Sequence, residues 1–306
     1  MKKNNFFLYL QLLRVNQWIK NIVVFTAIVF SGKLFDFNLF LKTLIAFFIF
    51  CLLSSTSYVL NDIIDYPYDK KHPLKKMRPI ASGEISLPQA TFLVFTLTLV
   101  SLIAALFYSI PFFFLSFLFI LLHFFYSLSL KKKPVIDIFT ISFSFVIRAF
   151  AGKVATGYHI PVWLFLTIFF GSLFIASVKR HAELFSFGNE AREALYRYNE
   201  HFLDFLTYTF GTTTIIAYAT YTYVEKLPPF EGFFHKFFIN IYPGFEARKW
   251  LMITIPLVVY GISRYAQLLY EKYEGERPER LITTDLPLIF TIVLWGMIII
   301  GLIYFL

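Results

Sequence analysis

From Pro88 to Leu130 the chain runs without a single Asp, Glu, Lys or Arg. At about 1.5 Å per residue this stretch is too long for one helix across about 30 Å of hydrocarbon, and too apolar for a water-exposed surface. Two crossings that turn at Ser109-Ile110-Pro111 satisfy both limits, because proline opens a helix more readily than it continues one.

Cut in the same way, the whole chain yields nine apolar segments: 17–33, 40–60, 88–108, 111–130, 134–153, 161–179, 205–225, 250–270 and 285–306. Composition agrees. Of the 306 residues 58% are hydrophobic and 15% charged, against about 45–50% and about 25% in soluble domains. The expectation is an all-α polytopic membrane protein, a bundle of nine transmembrane helices forming one domain over residues 1–306. No internal repeat or low-complexity linker divides it. The N-terminus lacks a long apolar core with a small-residue cleavage site and is not read as a cleaved signal peptide.

The loops orient the bundle. With the N-terminus inside, 20 of the 28 Lys and Arg residues fall on one side, in loops 61–87, 131–133, 180–204 and 271–284 and at the adjoining span ends. Cytoplasmic loops are rich in Lys and Arg, so the expectation is N-in and C-out, in the inner (cytoplasmic) membrane. An eight- or ten-span cut spoils this separation. The net charge of +9 is thereby a matter of topology and calls for no nucleic acid. A lone cysteine, Cys51 in an apolar run, excludes an intrachain disulfide. The six histidines show no metal-ligand spacing, and no glycine-rich phosphate loop is present.

Positive-inside topology explains lysines but not carboxylates, which are costly near hydrocarbon and mark function. Asp62, Asp65 and Asp69 stand at i, i+3 and i+7 on one helical face, with Asn61 one step round. Acids so arranged repel unless a cation lies among them, and Mg²⁺ suits a few carboxylates plus water and phosphate oxygens. Lys75, Lys76 and the planar fork of Arg78 follow as a clamp for a polyphosphate. Acids, metal and clamp read as a magnesium–diphosphate site. Pro67 lies inside the stripe and predicts a kink before Asp69.

Other ends on the same side add charge. Lys20 sits in QWIKN, where Trp18 reads as an interface anchor. Tyr126, Lys131 and Asp137 flank the hairpin between the fourth and fifth spans, and Lys179 and Arg180 close the sixth. Arg148 lies well inside an apolar run and needs a polar cavity, an anionic substrate or an interior acid.

Asn61-Asp62-x-x-Asp65-x-x-x-Asp69 resembles the first aspartate-rich motif of the UbiA-type intramembrane prenyltransferase superfamily. YVLNDIIDYPYDKKHPLKKMRPIASG, QWIKN, YSLSLKKKPVIDIF, RAFAG, KRHAEL and Gly275-Glu276-x-Pro278-Glu279 are similar, in order along nearly the whole chain, to its phosphoribosyl-transferring branch. The chain departs from the general pattern in lacking a second acid-rich motif near the fifth and sixth spans, where it offers only Asp137. It also has Lys70 where the branch usually has arginine.

The resemblance implies transfer of 5-phosphoribose from phosphoribosyl diphosphate to a polyprenyl phosphate at the cytoplasmic face. It implies Mg²⁺ held by Asp65 and Asp69 with Asn61 or Asp62, and catalytic roles for Asp65, Asp69, Lys20 and Arg78. Lys75, Lys76 and Arg78 would hold the donor's phosphates, and Lys20, Lys131, Lys179 and Arg180 the lipid phosphate. The alternative is an aromatic prenyltransferase with a prenyl diphosphate donor. A transporter or a non-catalytic scaffold explains the acid stripe less well. Oligomeric state is not fixed by the sequence, and a homo-oligomer stays open; the loop at 226–249 receives no role.

Overall fold

The computed structural model describes residues 5–72, 75–187, 198–225, 247–272 and 283–305. Among them every regular element is a helix. Helix α1 (Asn5–Leu13) is followed by a 3₁₀ run, Val15–Phe25, and a short α2 (Thr26–Phe30). Then come α3 (Phe37–Asp69), α4 (Leu87–Tyr108), α5 (Ile110–Leu128) and α6 (Ile136–Thr156). Helices α7 (Val162–Phe187), α8 (Glu200–Val224), α9 (Ile255–Lys272) and α10 (Leu286–Tyr304) complete the bundle. Pro73, most of the loop at 226–249 and the Gly275–Glu279 block lie outside the described residues.

Local chemistry sets the boundaries. Asp36 caps α3 by accepting the Leu39 N–H. Ser86 and Gln89 form a capping box at α4, satisfying two otherwise orphan backbone donors, with Pro88 in its first turn. Ser109, in extended conformation, ends α4 and caps α5, so the expected turn falls where Pro111 requires it. Gly157, at φ 76°, stops α6 in the left-handed conformation that glycine adopts without strain.

Seven helices are long and apolar enough to cross a membrane, or eight spans if the pair Phe7–Leu13 and Val15–Phe30, bent by 47°, counts as one. The chain is a multi-pass membrane protein. Helix α8 covers the expected segment 205–225 but is not among those seven: its run of threonines and tyrosines lowers its hydropathy. Phe92, Phe95 and Phe107 of α4 and Phe114, Phe117, Phe124 and Phe125 of α5 are exposed, as lipid-facing side chains are.

Helix α6 occupies the centre. It packs against the 3₁₀ run, α3, α5 and α7, and small residues permit the close approach. A Cβ added at Gly152 would lie 2.0 Å from the Val24 carbonyl oxygen, so the two backbones nearly touch there.

Two local expectations are corrected. Helix α3 continues through Pro67 to Asp69, with no break at Tyr66. Proline removes one backbone donor close to the helix end, and the Lys70 N–H still reaches the Tyr66 carbonyl at 3.2 Å. The first span is not one regular helix either. Arg14 takes φ 50° and ψ 51° between α1 and a 3₁₀ run of 11 residues, whereas such runs rarely exceed about 3–4.

Candidate active site

The C-terminal end of α3 gathers the acid stripe, and the surrounding elements bring cations to it. The stripe forms because α3 stays helical, which keeps Asp62, Asp65 and Asp69 on one face. Asp62, only 3% exposed, accepts at a single carboxylate oxygen from Arg14 Nη2 at 2.6 Å and from Arg78 Nη1 at 3.0 Å. The same Arg78 nitrogen donates to Asp69 at 2.7 Å, so it bridges two acids two turns apart. The guanidinium of Arg14 also lies 5.0 Å from the centre of the Tyr58 ring.

Asp65 is held from the opposite side. Lys131, carried by a 3₁₀ turn (Leu130–Lys132) between α5 and α6, donates to Asp65 at 2.5 Å and to the Asn61 amide oxygen at 3.1 Å. Asn61 completes the ring by donating to the other Asp65 oxygen at 2.9 Å. Burial to 6% exposure leaves the Lys131 ammonium dependent on these oxygens.

Below this mouth a second network fixes the hairpin that carries Lys131. Asp137 and Arg180 form an ion pair at 2.6 Å, both almost wholly buried. Arg180 donates further to the Tyr126 hydroxyl at 2.9 Å and to Glu183. The Tyr198 hydroxyl donates to Asp137 at 2.7 Å and accepts the Val135 N–H at 2.6 Å. Val135 stands at φ 67°, a strained position for a β-branched residue, and is held there by this bond. Burial, and then the Asp137 carboxylate beside it, push the Tyr198 phenol above its ordinary range.

Arg148 meets neither an acid nor open space. It donates to Asn21 at 2.7 Å, Ser144 at 2.8 Å and Ser54 at 3.3 Å, with the Phe119 and Phe145 rings 4.7 and 5.2 Å away. Among the described residues no carboxylate pairs with it. Neutral oxygens and ring faces therefore disperse its charge.

The structure thus joins Asp62, Asp69 and Arg78 in one group and Asn61, Asp65 and Lys131 in another at the end of the same helix, and ties Tyr126, Asp137 and Arg180 into the support beneath. Lys20 stands half-buried on the 3₁₀ run, and Lys179 half-buried beside Arg180. Lys75 and Lys76 lie on a short 3₁₀ turn (Lys75–Met77) ahead of Arg78, the second exposed. Trp18 uses its indole N–H on Ser55 at 3.0 Å, which ties the 3₁₀ run to α3. Sequence reasoning passed over Arg14, counting it only toward topology. Its signal was its place in the same basic segment as Lys20. Glu183 was legible only as one of the charges ending the sixth span, and Tyr198 had no signal of its own.

The donor set suits a hard cation. Among the described residues no three Asp, Glu, His or Cys side chains converge closely enough to enclose a metal ion by themselves. One or two carboxylates can serve, with phosphate oxygens and water filling the remaining positions, which is how Mg²⁺ is commonly held beside a diphosphate.

The model of the UbiA prenyltransferase family matches residues 21–183, a region that contains the acid stripe, Lys131 and Arg180. The chain belongs to this family. It is 31% identical over 301 residues to the decaprenyl-phosphate phosphoribosyltransferase of Mycolicibacterium smegmatis, covering 95% of this chain and 91% of that one. The protein of the same name from Corynebacterium glutamicum is 30% identical over 310 residues, covering 95% and 85%. In fold, this UbiA family member resembles the UbiA homolog from Archaeoglobus fulgidus bound to GPP and Mg²⁺, with a TM-score of 0.70 and 18% identity over 97% of this chain and 99% of that one.

Proposed function

We propose that this UbiA family member transfers 5-phosphoribose from phosphoribosyl diphosphate to a polyprenyl phosphate. The ribose C1–O bond to diphosphate breaks, an oxygen of the lipid phosphate forms the new bond to C1, and diphosphate leaves. The observation that carries this reading is the make-up of the mouth: the α3 acids are paired with Arg14, Arg78 and Lys131. Cations facing acids suit two phosphorylated reactants. The likeness to two phosphoribosyltransferases across nearly the whole chain supports the same substrates.

Asp65 and Asp69, with Asn61 or Asp62, are the residues to hold Mg²⁺, which when bound would neutralise charge on the leaving diphosphate. Arg78, Lys75 and Lys76 hold the donor's phosphates. Lys20, Lys131 and Lys179 orient the lipid phosphate, whose anion needs no strong general base. Arg180, expected among them, is instead engaged with Asp137 and Glu183 and braces the hairpin. The nine expected crossings, N-in and C-out, with the site at the cytoplasmic face of the inner membrane, belong to the same reading, as does a single domain.

The test uses protein in detergent or nanodiscs with Mg²⁺, labelled phosphoribosyl diphosphate and a polyprenyl phosphate, scored for label entering the lipid phase. Metal-dependent transfer, lost in Asp65→Asn and Asp69→Asn, supports the reading. Prenyl transfer to an aromatic acceptor in place of it would move the chain to the alternative, which the family's description as prenyltransferases favours.

A further inference from the structure

We infer that Arg14 is a resident counter-ion of the acid stripe, and that it couples metal binding to diphosphate binding. The inference rests on the reading that the end of α3 holds a metal–diphosphate. Three carboxylates, Asp62, Asp65 and Asp69, are in ion pairs with three cations, Arg14, Arg78 and Lys131. Their charges cancel. A divalent cation entering such a balanced cluster alone would carry uncompensated positive charge into a region where Asp62 and Asp69 are almost wholly buried. A cation that arrives with a diphosphate brings its own balance.

The backbone supports a dedicated role for Arg14. A non-glycine residue in the left-handed conformation is strained and persists only where the surroundings hold it. Here that conformation sits at the junction between α1 and the 3₁₀ run. From it the guanidinium reaches one Asp62 oxygen at 2.6 Å and lies against Tyr58. Arg14 shares that oxygen with Arg78, so both guanidiniums are poised to turn to an anion when a metal takes Asp62 from them. The absence of a closed three-carboxylate cage among the described residues agrees, since such a site binds a bare metal weakly.

The experiment measures protein-bound Mn²⁺ by equilibrium dialysis of the detergent-solubilised full chain, with and without inorganic diphosphate. For the wild type, diphosphate should tighten Mn²⁺ binding about tenfold or more. Arg14→Gln leaves a net negative cluster, so bare Mn²⁺ should bind roughly tenfold more tightly while the gain from diphosphate shrinks. Arg14→Lys, which keeps the charge, should behave like the wild type. A merely structural role for Arg14 predicts weaker binding of both ligands in Arg14→Gln.

Unchanged or weakened bare Mn²⁺ binding in a folded Arg14→Gln would overturn the inference. If that variant does not fold, Arg78→Gln makes the same change of charge from the other side, and the same two outcomes decide. Inorganic diphosphate is common to phosphoribosyl and prenyl donors. Coupling without phosphoribosyl transfer therefore sinks only the substrate assignment, and transfer with uncoupled metal binding sinks only the role of Arg14.

Discussion

Asp137 and Arg180 meet at 2.6 Å in an interior ion pair, each about 1% exposed, and each is also bonded to a tyrosine. Removing one member of such a pair leaves the other buried and uncompensated, at a cost of about 3–5 kcal/mol. Asp137→Asn should therefore markedly lower the thermal unfolding midpoint in detergent, followed by intrinsic fluorescence. Asp65→Asn, at the more open stripe, should lose activity with a smaller fall in the midpoint, because Asp65 is 16% exposed and its partner Lys131 keeps the Asn61 oxygen. Equal destabilisation by the two would show that the lower network is not the structural one.

Tyr198 gives that network a pH dependence. Its phenol is raised above the ordinary value of about 10, chiefly by burial and then by the Asp137 carboxylate. The folded state thus keeps the proton at a pH where the unfolded chain releases it. The stabilisation is complete below about pH 10 and declines as pH rises beyond it. Midpoints measured from pH 8 to 11 should fall more steeply for the wild type than for Tyr198→Phe. Parallel curves would remove Tyr198 as the source.

Gly152 marks where α6 meets the 3₁₀ run. An added methyl would sit 2.0 Å from the Val24 carbonyl oxygen and 2.8 Å from its carbon, and backbone cannot rotate aside as a side chain can. Gly152→Ala should therefore destabilise by about 1–3 kcal/mol or more through overpacking. The same unfolding assay checks it, and a midpoint unchanged from the wild type would mean that the run is free to shift.

Much of this fold was legible because hydropathy and cap chemistry act locally. Ser109 and Pro111 divide a long apolar run by their own backbone preferences, and the acid stripe follows from helical spacing alone. Helix α8 was legible as a segment, yet its threonines and tyrosines carry a weaker membrane signal. The 3₁₀ form of Val15–Phe25 was not legible, and neither was its close approach to α6 at Gly152. Nor could spacing show that Arg180 pairs with Asp137 rather than with a substrate, or that Arg14 reaches Asp62. These partners lie far apart in sequence, and only the packed bundle brings them together.

Lys131 and Asp65 should behave as one unit in catalysis. The lysine donates to Asp65 at 2.5 Å and to Asn61 at 3.1 Å, so its loss leaves both acceptor oxygens without it at once. Lys131→Ala should lower kcat/KM for phosphoribosyl transfer on the order of 10²-fold, the usual effect of removing one charged donor from a reacting site. Because Asp65→Asn disables the same unit, the double variant should be little worse than Asp65→Asn alone. Lys131→Arg, which keeps charge but cannot place it at one point, should recover only part of the rate. Multiplicative losses in the double variant would mean that Lys131 orients the lipid phosphate without help from Asp65.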